Sequence, residues 1–183
     1  MDALTDEALR LGHSDPAGLF TTVYQTFSAA VFGYLHARGV HDPEAVAQDV
    51  FLALYPQLAS VRGGVKGLRT LIFSIAHARS VDHHRHRARS PMTTEYDPEW
   101  DLRITDSAEE QALSLAADAD VLTLLKNLGD DQREVLSLRI VADLSLEQTA
   151  SIMEKTPGAI KQLQHRALAN LRNQLAMKVQ GTP

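Results

Sequence analysis

Apolar positions recur every three or four residues along most of the chain, and alternating runs bounded by hairpin turns are absent. The chain therefore reads as all-α. The first long stretch covers 15–38. Asp15-Pro16 opens it, Phe20, Val23, Tyr24, Phe27, Val31, Tyr34 and Leu35 form its apolar stripe, and Gly39 stops it. Asp42 and Pro43 supply the N-cap and first-turn proline of a second helix, which Pro56 ends or kinks. A glycine-bearing loop over 60–67 precedes a third helix over 68–87, with Leu68, Leu71, Ile72 and Ile75 as its core stripe. Ser90-Pro91 breaks the pattern. Four more helices are predicted over 108–127, 131–142, 145–153 and 156–178. The polar, acidic stretch 91–107, with Pro98 and the lone Trp100, reads as a linker. The expected architecture is two small helical domains, 15–90 and 108–178, joined by that linker.

Composition narrows the chemistry. The 183 residues allow one large or two small domains, and 44% hydrophobic with 22% charged residues is a globular balance. Aromatics make up only 5%, so Leu, Val, Ile and Ala must build most of the core. The absence of cysteine excludes a disulfide scaffold, a thiol nucleophile and cysteine-ligated zinc or iron–sulfur sites. No apolar run reaches the roughly 18 residues of a membrane span, and the first twelve residues lack the basic start and apolar centre of a signal peptide. A cytoplasmic protein without membrane insertion is expected. The net charge of -5 conceals segregation: 60–90 carries +6 and 155–183 carries +5, with -9 over 91–134 between them. Two basic blocks fit two stretches of nucleic acid, and equally two solvated helix faces.

The C-terminal pattern is more specific. Ser145 and Gln148 form a capping box that starts a short helix. Met153-Glu154-Lys155 reads as a turn, after which Thr156 caps a longer helix with Pro157 at its first position. Short helix, tight turn and longer basic helix is the helix-turn-helix plan. Ala150 is small enough to let the two helices approach. Ile160, Leu163, Ala167 and Leu171 form a buried stripe, leaving Gly158, Lys161, Gln162, His165, Arg166 and Arg172 on the outer face. Cationic and amide side chains there suit reading of base edges in a major groove.

The N-terminal half offers less. Gln48, Asp49 and Leu52 project away from the wide apolar face of the second helix, which fits either a small protein-docking surface or a scattered surface leucine. His77, His83, His84 and His86 lie in a cation-dense segment, but no two are spaced by the four residues that a helical zinc pair prefers. A phosphate-cradling glycine loop, an HExxH pair and a GxSxG elbow are all absent. No catalytic residue, small-molecule substrate, metal or cofactor is therefore expected.

Over about 19–175 the chain resembles bacterial RNA polymerase sigma factors of the extracytoplasmic-function (ECF) group, the compact type with sigma regions 2 and 4 only. The stretches carrying the resemblance are DPEAVAQDVFLALY (42–55), LRTLIFSIAHARSVDHHR (68–85), LGDDQREVLSLR (128–139) and GAIKQLQHRALANLR (158–172). The resemblance implies that Gln48, Asp49, Leu52 and Tyr55 dock on core RNA polymerase. It implies that Arg62, Gly63, Gly64, Lys66, Arg69, Arg79 and Arg85 serve the minus-10 element of promoter DNA. Thr156, Pro157, Gly158, Lys161, Gln162, His165 and Arg166 would serve the minus-35 element. An anti-sigma factor is the implied regulatory partner, and the acidic linker would thread near the RNA path. The chain departs from the family pattern at Leu71, where Trp is usual, at Ala78 (usually Asn) and at Gly129 (usually Pro). Glu154 and Lys155 replace the usual Gly and apolar residue of the turn. Leu163 stands where many members carry a DNA-contacting Arg, so contacts are expected to shift to its exposed neighbours. The competing expectations are a stand-alone helix-turn-helix regulator, which would normally dimerise but has no coiled-coil seam here, and a metal-dependent helical enzyme built on the histidines.

Overall fold

The computed structural model describes residues 4–89 and 124–180, and every regular element among them is helical. The predicted linker 91–107, Trp100 and most of the predicted helix 108–127 lie outside the described residues; 124–126 are helical. The elements are α1 (Asp6–Leu11), α2 (Pro16–Ala37), α3 (Pro43–Leu54), α4 (Gly64–Arg89), α5 (Asp130–Leu136), α6 (Leu146–Ile152) and α7 (Pro157–Gln180). A 3-10 segment, Tyr55–Ser60, extends α3, and a π-helical turn, Ser137–Val141, extends α5.

Local chemistry sets most of these ends. Asp15 accepts the Gly18 N–H at 3.0 Å and Asp42 accepts the Ala45 N–H at 3.0 Å, each with a proline following. At the end of α2 the Val40 N–H returns to the Leu35 carbonyl at 3.1 Å, a Schellman closure around Gly39. The start of α4 is a correction. It begins at Gly64 rather than 68, so Gly64 and Gly67 are helical residues and the loop is only 61–63. Its cap comes from a distant segment: Asp6 on α1 accepts the Val65 N–H at 2.7 Å. Helix α1 itself is capped by Thr5, whose hydroxyl accepts the Ala8 N–H at 3.1 Å.

The N-terminal helices α1–α4 and the C-terminal helices α5–α7 pack directly on each other. One apolar core takes Leu19, Val23, Phe27, Leu54, Leu68 and Phe73 from the first set and Leu138, Ala142, Leu144 and Ile152 from the second. A smaller core gathers Leu128, Val135, Leu136, Ala150, Ile160 and Ala167, joined by Ala37 from α2.

At the seam lies a buried polar cluster. The Glu134 carboxylate on α5 accepts the Tyr34 hydroxyl at 2.6 Å and the His77 Nδ1–H at 3.0 Å on one oxygen. Its other oxygen lies 2.5 Å from Arg38 Nε. Tyr34 comes from α2, Arg38 is the residue that caps its C-terminus, and His77 comes from α4, so one carboxylate ties three helices. Arg38 also donates to the Asp130 carbonyl at 3.1 Å. Burial alone pushes the Glu134 carboxyl up, but the His77 hydrogen bond, the Arg38 charge and the Tyr34 hydroxyl outweigh it and hold the carboxyl below the usual glutamate value. Burial and the adjacent carboxylate push the Tyr34 hydroxyl well above its usual value, so it remains a proton donor.

A carboxylate depressed in the folded chain contributes its full stabilisation above the unfolded value of about 4.3, and loses it as pH falls through the lower folded value. Glu134→Gln leaves Arg38 buried without its counter-charge and is predicted to cost about 3 kcal/mol near neutral pH. Urea unfolding followed from pH 7 downward should show the gap between wild type and variant narrowing below about pH 4.3. A gap independent of pH contradicts this role for the carboxylate.

Candidate nucleic-acid and partner interfaces

The α6–turn–α7 unit is built from reciprocal caps. Ser145 Oγ accepts the Gln148 N–H at 3.2 Å, and Gln148 Oε1 accepts the Ser145 N–H at 2.7 Å. The turn closes with the Lys155 N–H on the Ala150 carbonyl at 3.0 Å and the Glu154 N–H on Ser151 at 3.4 Å. Thr156 Oγ1 then accepts the Ala159 N–H at 3.2 Å and Pro157 opens α7. Ile160 and Ala167 are fully buried, and Leu163 and Leu171 pack on the same core. Thr156, Pro157, Gly158, Lys161, Gln162, His165 and Arg166 are all exposed. Within this set Lys161, Gln162, His165 and Arg166 share one face, at the start of a helix long enough to lie across a groove.

The second basic set divides. Arg62, Lys66, Arg79 and Arg85 are exposed. Gly63 and Gly64 turn the chain at φ 82 and 64, and a side chain at Gly67 would collide with the Arg62 carbonyl. Arg69 is not presented with the others. Its guanidinium stands 5.4 Å over the Phe27 ring and donates to the Ala142 carbonyl at 3.1 Å and to Asp143 at 3.4 Å. The histidines also scatter. His77 joins Glu134, His84 Nε2 lies 3.1 Å from the Arg38 carbonyl, and His83 Nε2 accepts the His41 N–H at 3.3 Å. Burial, with His84, Arg87 and His41 nearby, lowers the His83 pKa, which favours the neutral ring that this acceptor role requires.

Gln48, Asp49, Leu52 and Tyr55 lie exposed along one side of α3 and its extension, with Leu52 70% and Tyr55 48% exposed. Beside them is an aromatic ledge. Phe20 meets Tyr55 edge-on at 5.2 Å and Tyr24 meets Phe51 at 4.8 Å. Tyr24, one of the residues at helical spacing along α2, is 44% exposed and extends this ledge. Two aromatic pairs spaced by four, Phe20/Tyr24 and Phe51/Tyr55, were the available signal.

Comparison with known proteins decides the family. Residues 124–173, spanning α5 to most of α7, match the family described as Sigma-70, region 4. The chain is 36% identical to the ECF RNA polymerase sigma factor SigD of Mycobacterium tuberculosis over 96% of its own length and 84% of that protein. The chain belongs to the ECF RNA polymerase sigma factors. It is also 35% identical to the ECF sigma factor ShbA of Streptomyces griseus, over 72% of this chain and 71% of that one. Its fold matches the structure of CnrH in complex with the cytosolic domain of CnrY with a TM-score of 0.68, at 19% identity, covering 94% of this chain and 97% of that one.

In the turn of this ECF sigma factor Glu154 holds φ 52, a left-handed conformation that glycine adopts without strain. Glu154→Gly is therefore predicted to raise stability by about 1 kcal/mol, and Glu154→Val to lower it, in urea denaturation. An unchanged midpoint in both variants would show that the turn does not depend on this conformation.

Proposed function

We propose that this ECF sigma factor binds core RNA polymerase and directs it to promoters carrying minus-10 and minus-35 elements. The observation that carries the reading is the helix-turn-helix, whose basic face is free on a rigid, doubly capped frame. In this reading 15–90 is region 2, 91–107 the linker and 108–178 region 4. Thr156, Pro157 and Gly158 bring the N-terminus of α7 close to the minus-35 duplex, while Lys161, Gln162, His165 and Arg166 read bases or hold phosphates. Arg62, Gly63, Gly64, Lys66, Arg79 and Arg85, with Arg69 once released, take the minus-10 strand. Gln48, Asp49, Leu52 and Tyr55 dock on the polymerase, with the Tyr24 ledge alongside. The chain supplies specificity and no catalytic step of its own. Control by an anti-sigma factor follows from the same family resemblance, and the site of action is the cytoplasm; no helix among the described residues is long and apolar enough to cross a membrane.

Two variants test the reading. Lys161→Ala and Arg166→Ala should each weaken promoter binding by the polymerase holoenzyme by about 1–3 kcal/mol if they read bases. A loss equal across promoters, with a smaller salt slope, assigns them to phosphates instead. No change in either quantity removes the recognition-helix assignment. Leu52→Asp should abolish co-elution with core polymerase while helical content and the melting curve stay as in wild type. Wild-type co-elution would refute the docking surface.

A further inference from the structure

Helix α4 starts without a cap of its own. The stretch 61–67, VRGGVKG, holds no Ser, Thr, Asp or Asn, and the Ser60 hydroxyl donates backward to the Gln57 carbonyl at 2.9 Å. Gly63 and Gly64 both stand at positive φ, and glycine pairs of this kind leave a loop free to take many shapes. Two backbone constraints fix this one. The Gly67 N–H returns to the Gly63 carbonyl at 3.0 Å, and Asp6 Oδ1 accepts the Val65 N–H at 2.7 Å. The Asp6 carboxylate sits so close to Gly64 that a Cβ there would collide with it. Asp6 is itself held in place. Thr5 caps its helix, Leu9 is buried in the core at 4% exposure and Leu4 packs on the same core. On the other side Val61 and Val65 also lie against that core, so Arg62 and Gly63 form an exposed bridge between anchored ends.

We propose that Asp6 is a positioning residue for minus-10 recognition: from α1 it caps α4 and so holds Arg62, Gly63, Gly64 and Lys66 in the shape that receives the promoter strand. The inference rests on the minus-10 reading above. A loop that must accept an unstacked base loses affinity for every shape it has to give up on binding, so fixing it beforehand favours the correct strand. Glycines cannot supply that order through side-chain packing. The carboxylate supplies it through one backbone N–H, and the helix dipole favours a negative group at that end. The short N-terminal helix is thereby part of the apparatus that reads the minus-10 element, although none of its own side chains needs to touch DNA.

The test is run-off transcription by core polymerase with the full chain, on a promoter that the chain uses and on two copies of it. One copy is altered only in the minus-10 element, the other only in the minus-35 element. The readout is the ratio of transcripts from the intact promoter to those from each copy. Asp6→Ala should lower the minus-10 ratio by about fivefold, the factor that corresponds to losing a cap of about 1 kcal/mol. It should leave the minus-35 ratio and co-elution with the polymerase as in wild type. Asp6→Asn keeps an acceptor oxygen and should restore the wild-type ratio. Thr5→Ala, which loosens α1 without touching α4, should give an intermediate fall. Hydrogen exchange at the Val65 amide should be faster in Asp6→Ala than in wild type. A wild-type minus-10 ratio in Asp6→Ala, or unchanged exchange at Val65, overturns the proposal. An equal fall in both ratios overturns it in favour of general support of the fold. Higher transcript yield in both Asp6→Ala and Asp6→Asn overturns it by showing that the carboxylate competes with DNA. Wild type that transcribes the intact promoter and its minus-10 copy equally sinks the minus-10 reading itself, and the inference with it.

Discussion

The buried Glu134 carboxylate is the constraint on which the rest of the arrangement depends. A charge removed from water is costly, and only close partners offset the cost. Here those partners are Tyr34, Arg38 and His77, from two helices that are remote in sequence. Satisfying one carboxylate therefore fixes how α5 lies against α2 and α4. The apolar contacts follow from that placement. Leu138, Ala142 and Leu144 enter the core of the N-terminal helices because α5 and its π-helical extension are set down beside them. Such a pair adds less net stability than apolar residues of the same volume could, but it tolerates few alternative alignments.

That alignment sorts the functional surfaces. Helix α7 projects its basic face outward, since the small core behind Ile160 and Ala167 holds it. The Leu52 side of α3 also faces outward and carries an aromatic ledge. The start of α4 is different: backbone and side-chain groups from both flanks bind it.

Much of this was legible in the sequence, where local rules govern. The Asp15, Asp42, Ser145 and Thr156 caps stand where the cap residues and prolines placed them. The outer face of α7 follows from helical geometry once Ile160 is taken as buried, and Leu52 was read correctly as exposed. What escaped was non-local. The helical state of Gly64 and Gly67 depends on a cap from Asp6, nearly sixty residues away, and glycines in a basic stretch otherwise read as loop. Tyr24 fits the helical stripe, and its exposure follows only from where α3 crosses α2. Glu134 looked like one acid among many in an acidic block, and His77 like one of four clustered histidines. Nothing in their local context marks them as partners. The Glu154 turn shows the reverse case, in which tertiary packing imposes a conformation that the residue itself disfavours.

The most direct measurement is run-off transcription with bacterial core polymerase and a genomic promoter pool, with and without the chain. The account predicts transcripts that depend on the chain and whose start sites share upstream minus-10 and minus-35 sequences. Specific binding of duplex DNA without association with the polymerase would contradict it and identify a stand-alone regulator instead.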